Sequence, residues 1–211
     1  MVILLLLELP AQNAGRSIIL FDGRDLSAWQ PASNWKIEDS VLILHDRTDR
    51  REHNDNYLWT KRKFSDFVLD LDFKIVPGVN SGIFLRTSDV KDPVQTGIEI
   101  QVSGGDPKRP LSRSSIGGIY DLVAPTKYAA RLDQWNHYTI TCKGSRISVM
   151  LNGEMTSEAD LNQWIEVKKN PDGTANKFTR AAKDFAREGY IGLQDHGTPA
   201  WYRNIIIKEL K

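Results

Sequence analysis

The stretch Phe67–Val102, FVLDLDFKIVPGVNSGIFLRTSDVKDPVQTGIEIQV, decides how this chain folds. Its opening, Phe67–Val76, alternates Phe67, Leu69, Leu71, Phe73 and Ile75 with Val68, Asp70, Asp72 and Lys74. That is the period of two of a strand with one buried face. Ser81–Thr87 then sets Ile83 and Leu85 on one face and Phe84 and Arg86 on the other. Gly97–Ser103 turns Ile98, Ile100 and Val102 inward, so Glu99 and Gln101 project together from the opposite face. Alternation therefore predicts that Arg86, Glu99 and Gln101 line one open surface of a sheet. An ordinary solvated sheet face accounts for polar side chains at this spacing equally well, so the pattern alone selects no site.

Outward from this stretch the chain reads the same way. Ile18–Trp29 predicts a short strand, a turn at Asp22–Gly23 and a loop closed by Trp29. Trp35–Leu44 predicts a hairpin around Glu38–Ser40, and Tyr57–Phe64 returns to strand character. Trp135–Lys143 and Arg146–Leu151 form a second hairpin around Gly144–Ser145, ended by the turn dipeptide Asn152–Gly153. Tyr190–Gln194 and Trp201–Leu210 are the last strands. Helix is confined to a turn within Asp160–Lys169, opened by Asp160 as N-cap, and a short segment at Ala181–Arg187. NPDGT at Asn170–Thr174 is a turn by composition. Many short strands and few helices argue an all-β sandwich. The long Gly, Pro, Ser and Arg-rich loop Gly104–Ser115 is of a kind often tied to function.

The chain has 211 residues, 40% of them hydrophobic, enough for the core of one domain over residues 17–211. Its 28 basic and 27 acidic residues leave a formal net charge of +1, which gives no field for nucleic acid or an anionic membrane. The lone Cys142 has no disulfide partner and alternates inward with Tyr138 and Ile140, a buried apolar role. The apolar run Val2–Leu7 is far shorter than the roughly 20 residues of a membrane span. Followed by AQNAG, it resembles the end of a secretory signal peptide over residues 1–16, predicting a periplasmic or secreted bacterial protein. A first strand pairing with the C-terminus is the alternative.

A set of motifs carries a further resemblance: LFDGRDLSAW at Leu20–Trp29, NSGIFLR, TGIEIQV, GGIYDL, WNHYTI with VMLNGE, NPDGTANKF, and GYIGLQDHG with WYRNIIIKEL. In this order, over Ser17 to Lys211, they resemble the 3-keto-disaccharide hydrolase domain family. The resemblance implies a concanavalin A-like jelly-roll sandwich with a ligand groove on the concave sheet, and a bacterial enzyme acting on sugars already oxidised at C3. A ketone at C3 acidifies the C2 proton; the enolate expels the C1 substituent, and water adds back. Such a site needs a base, an enolate stabiliser and an acid for the leaving oxygen. It has no need of the paired carboxylates of ordinary glycosidases. Since the scaffold is shared by lectins and glycosidases, a non-catalytic carbohydrate-binding module is the alternative.

Glu99 is the candidate base, weighed against a salt bridge to Arg86. His196, in LQDHG, is the candidate acid, since imidazole suits proton transfer near neutral pH; a loop histidine bonded to backbone is the plainer reading. Arg86 offers a planar fork of donors for an enolate or sugar hydroxyls. Gln101, Asn80, Tyr120, Asp195 and Trp201 complete the expected substrate contacts, with Asn80 also suited to shaping the Pro77–Gly82 turn. A divalent cation held by Glu99, His196 and Asp195 is an open option. His53 and Asp55 in HNDN match no EF-hand spacing and read as a solvated loop. Trp35 and Trp135 are expected in the core, and Arg203–Asn204 as ties between the last strand and its neighbour.

Overall fold

The structure, a computed structural model, describes residues 15–45 and 57–211. The apolar run Val2–Leu7 and the loop holding His53 and Asp55 lie outside the described residues. The strands are β1 (Ser17–Phe21), β2 (Trp35–Glu38), β3 (Val41–Leu44), β4 (Leu58–Trp59), β5 (Phe67–Lys74), β6 (Asn80–Thr87), β7 (Ile98–Ser103), β8 (Trp135–Lys143), β9 (Arg146–Leu151), β10 (Glu154–Asp160), β11 (Tyr190–Leu193) and β12 (Ala200–Glu209). They pair into two antiparallel sheets. The larger runs β10-β9-β8-β5-β12-β3-β2 with β1 beside β12, and the smaller runs β4-β11-β6-β7. Among the described residues no helix is long and apolar enough to cross a membrane.

The period-two reading of β5 holds residue by residue: Phe67, Leu69, Leu71 and Phe73 are fully buried, and the residues between them are half-exposed. Across the sandwich they meet Ile83, Leu85, Ile98, Ile100 and Val102 in one core. Phe73 stacks on Tyr138 of β8 with ring centroids 4.6 Å apart. Cys142 is buried in this core, which pushes its thiol up to about 12. Arg203 and Asn204 both donate to Asp72 on β5, tying β12 to its neighbour as expected.

Two tyrosine hydroxyls cross the apolar layer from the larger sheet to the smaller. Tyr138 donates to the carbonyl of Gln101 on β7 at 2.7 Å. Tyr202 of β12 bonds Ser81 of β6 at 2.8 Å, and Ser81 in turn donates to the carbonyl of Gln194, directly after β11, at 2.8 Å. Both phenols are wholly buried, so each needs a partner, and the partners available are on the strands of the opposite sheet.

The free edge of β7 is closed by the GGIYDL segment. Gln101 donates to Gly118 at 3.1 Å, Gly117 to Gln101 at 3.3 Å, and Tyr120 to Glu99 at 2.8 Å, all through backbone groups. Three elements depart from expectation. β10 was not anticipated, because its residues EMTSEAD alternate weakly. A single helical turn at Pro93–Thr96 follows the loop after β6. Ala181–Arg187 shrinks to a 3-10 turn at Ala182–Asp184, whereas Asp160 does cap a 3-10 turn at Leu161–Gln163 through the Asn162 amide.

Tyr138→Phe removes one crossing bond without changing the packed ring. It is expected to lower the unfolding free energy by about 0.5–1.5 kcal/mol, the net worth of one hydrogen bond, since the Gln101 carbonyl keeps the Gly117 N–H as a partner. Urea denaturation of the two proteins measures the difference.

Candidate functional site

Directly paired residues on antiparallel strands share a face. The pairs Phe84↔Glu99 and Gly82↔Gln101 between β6 and β7 therefore place all four on the outer face of the smaller sheet. Gly192 of β11 pairs with both Phe84 and Trp59, extending this face across the sheet. A small aromatic cluster of Tyr57, Trp59 and Phe84 covers its centre. Beside it opens a pocket of about 260 Å³, walled by Tyr57, Asn80, Val94, Glu99, Tyr120, Lys177, Gln194 and His196. Glu99 and His196, separated by almost half the sequence, thus share one hollow.

Glu99 is 6% exposed and lies across the backbone of Gly82, where a Cβ would fall 2.6 Å from the carboxylate. Only a residue without a side chain leaves that room. The ammonium of Lys177 stands 3.7 Å from the Glu99 carboxylate and 4.1 Å from the centroid of the Tyr120 ring. Burial pushes the Glu99 carboxyl up to about 7, against the opposing pull of the Lys177 ammonium and the Gln194 amide. Burial likewise lowers Lys177, with the charges of Glu99 and Asp121 resisting. The site therefore holds a carboxyl group poised between its two states near neutral pH.

Lys177 reaches the pocket because the NPDGTANKF segment is knotted from within. The buried Asn170 side chain accepts from the Trp164 indole at 2.8 Å and from Asn176 at 3.1 Å. The carboxylate of Asp121 accepts the backbone N–H of Lys177, and Phe178 next to it packs edge-on against Phe185 at 5.3 Å. On the other side, Gln194 donates its backbone N–H to Gly82 at 2.8 Å, and Thr198 exchanges two hydrogen bonds with the backbone of Asn80. These staples bring His196 over the start of β6. The side-chain amide of Gln101 donates to Asn80 at 2.9 Å. The amide oxygens of Gln101 and Gln194 are buried without a hydrogen-bond partner.

Of the residues expected here, Glu99, His196, Tyr120 and Asn80 line the pocket, and Gln101 stands behind Asn80. Arg86 does not. The pairs Tyr190↔Thr87 and Gly192↔Phe84 leave one extra residue on β6, a β-bulge, and Arg86 sits in it with φ of 51°. Its guanidinium, 2% exposed, donates to the carbonyls of Ser65 and Gly144 at 2.6 Å each and to the Asp66 carboxylate at 2.9 Å. Arg86 is a strut between strand ends, turned away from Glu99.

Asp195, in the loop just past β11, is not part of the pocket wall that its neighbours Gln194 and His196 build. It is fully buried, accepting from Asn34 at 2.7 Å and from the Gly197 backbone at 2.8 Å. The proposed cation ligands Glu99, His196 and Asp195 therefore do not converge, and among the described residues no group of three His, Cys, Asp or Glu side chains is placed to hold a metal ion. Trp201 lies on the outer face of the larger sheet, where Lys74 stands 4.8 Å from its ring. Trp135 is there too, stacked under the Arg203 guanidinium at 4.0 Å rather than in the core. Lys177, Tyr57 and Gln194 were missed as pocket residues. The motifs NPDGTANKF and LQDHG were the available signal for the first and last.

A groove on the outer face of one sheet of a β-sandwich is the arrangement of a carbohydrate-active jelly roll, and comparison with known proteins bears out that class. Residues 16–208 match the 3-keto-alpha-glucoside-1,2-lyase-like domain, and the chain belongs to that family. It is 27% identical to a 3-keto-disaccharide hydrolase of Bacteroides thetaiotaomicron, covering 97% of this chain and 81% of that protein. A crystal structure of a candidate glycosyl hydrolase from Parabacteroides distasonis superposes with a TM-score of 0.79 at 31% identity, over 92% of this chain and all of the other. The Bacillus licheniformis beta-glucanase shares the jelly-roll fold at 11% identity, with a TM-score of 0.52 over 94% of this chain and 99% of its own.

The raised Glu99 carboxyl has a consequence for stability. Its ordinary value of 4.5 applies in the unfolded chain and about 7 in the folded one, so the stability that neutral Glu99 provides is full below 4.5 and is lost as pH rises through 7. Glu99→Gln removes that loss. The variant is expected to match the wild type near pH 4.5 and to exceed it by up to about 3 kcal/mol near pH 8, as read by denaturant melts at both pH values.

Proposed function

We propose that this protein hydrolyses the glycosidic bond of 3-keto-glycosides by elimination and hydration. The observation that carries the reading is the buried Glu99 carboxyl, poised near neutral pH, in one pocket with the Lys177 ammonium and His196. The names of the family and of its Bacteroides relative support the substrate class.

In this scheme the Glu99 carboxylate takes the proton from C2. The C–H electron pair moves into a C2–C3 double bond, leaving negative charge on the C3 oxygen. The Lys177 ammonium, preformed in a site from which burial excludes much of the water, offsets that charge. The enolate then re-forms the C3 carbonyl, C1–C2 becomes the double bond, and the C1–O bond breaks. His196 donates a proton to the departing oxygen. Water adds to C1, giving up one proton to His196 and so restoring the acid, and the proton held by Glu99 returns to C2, so the net change is hydrolysis. The Gln194 side chain on the pocket wall contacts the sugar, and Tyr120 lies against the ring.

A base that must be ionised to act gives a rate whose ascending limb climbs with pH through about 7. Incubation with a 3-keto-disaccharide is expected to release the two sugars. Glu99→Gln and His196→Asn should each slow release by about 10²–10⁴-fold, the usual share of one proton-transferring group. Substrate bound but returned intact by the wild type would point instead to a carbohydrate-binding module. Product analysis by mass spectrometry separates the two.

A further inference from the structure

The reaction pocket holds about 260 Å³, below the roughly 300 Å³ at which pockets for whole small ligands begin. It seats one sugar ring comfortably and leaves the second ring of a disaccharide outside. A second hollow, of about 570 Å³, opens directly beside it, and Tyr120 is part of both walls. Its rim is built by the long loop at Leu111–Ser114 and closed by Asp121, Ala124 and Ala175.

The chemistry of this hollow is that of a sugar surface. The hydroxyls of Ser112 and Ser114 lie 3.0 Å apart, each able to donate and accept. Arg113 is held from two sides, donating to the Leu122 carbonyl at 3.0 Å and pairing with Asp172. Asp121 joins the two hollows mechanically. Its backbone N–H donates to Arg113 at 3.1 Å while its carboxylate accepts from Lys177. It does so with φ of 62°, a backbone setting that non-glycine residues adopt at a cost and that clusters at functional sites.

We infer that the pocket continues over Tyr120 into a leaving-group subsite, walled by the Leu111–Ser114 loop, Asp121 and Ala175, that seats the second sugar of a 3-keto-disaccharide. This rests on the reaction proposed above, because it takes the oxidised ring to be the one beside Glu99. Ala175 is exposed on the rim, so a large side chain fills the hollow without entering the core. The test compares wild type and Ala175→Trp on a 3-keto-disaccharide and on the methyl 3-keto-glycoside of the same oxidised ring.

The ratio of kcat/KM, disaccharide over methyl glycoside, is expected to fall about tenfold or more in Ala175→Trp, with Ser114→Ala moving it the same way by less. An equal loss on both substrates, or no change on either, overturns the subsite. If the wild type turns over neither compound, the proposed reaction fails and calorimetric binding of the same two ligands decides the subsite. A preference for the disaccharide that Ala175→Trp abolishes upholds it, and equal affinities overturn it. Thermal melts of both variants establish that they are folded.

Discussion

The site depends on two phenol hydroxyls that cross the sandwich. An apolar interface between sheets is non-directional, and on its own it lets one sheet slide over the other at little cost. Tyr138 and Tyr202 convert it into a register. The first grips the strand carrying Glu99 and Gln101, and the second grips, through Ser81, the point where β11 gives way to the loop of His196. Buried hydroxyls left unpaired are expensive, so any relative shift of the sheets is penalised. Groups from distant parts of the chain are thereby held in one hollow on the far side of the smaller sheet.

That hollow runs against stability. A carboxylate, a lysine ammonium and two amide oxygens lie where water reaches them poorly, and the amide oxygens have no partner. Each would be cheaper on an open surface. Gly82 is part of the same arrangement, giving up a side chain so that Glu99 can lie flat on the sheet. Strain adds to it at Asp121, whose left-handed backbone holds the Lys177 segment. Gathering this many unfavourable settings on one side of a well-packed sandwich is the pattern that marks a candidate functional face.

The core was legible because period-two alternation follows directly from the pleat, and β5 to β7 obey it. The same rule misplaced Arg86, since a bulge adds one residue and turns every later side chain over. Nothing in NSGIFLRT marks the bulge by composition. Trp201 was misplaced for a simpler reason. It adjoins the His196 loop in sequence, but strand alternation sends it to the other sheet's exterior. Lys177 was illegible locally, because an irregular segment has no period and its aim is set by the Asn170 knot and by Asp121, far off in the chain. Glu99 and His196 were found partly through the family resemblance, which supplies the long-range pairing that periodicity lacks.

The electrostatics of this pocket also differ from those of paired-carboxylate glycosidases. Glycosidases that protonate and displace directly use two carboxylates, about 5–5.5 Å apart when retaining and wider when inverting, and each shifts the other. Among the described residues lining this pocket Glu99 is the lone carboxylate, and its charged neighbour is an ammonium. A cation beside an acid ordinarily pulls the acid down; here burial outweighs it and the carboxyl ends near 7. The combination suits a base that must pick up one proton from carbon while a positive group stands ready for the oxygen next to it. The jelly roll itself is indifferent between these chemistries. What distinguishes this pocket is that the charged group beside its carboxyl is Lys177, delivered on a loop outside the sheets, and not a second acid.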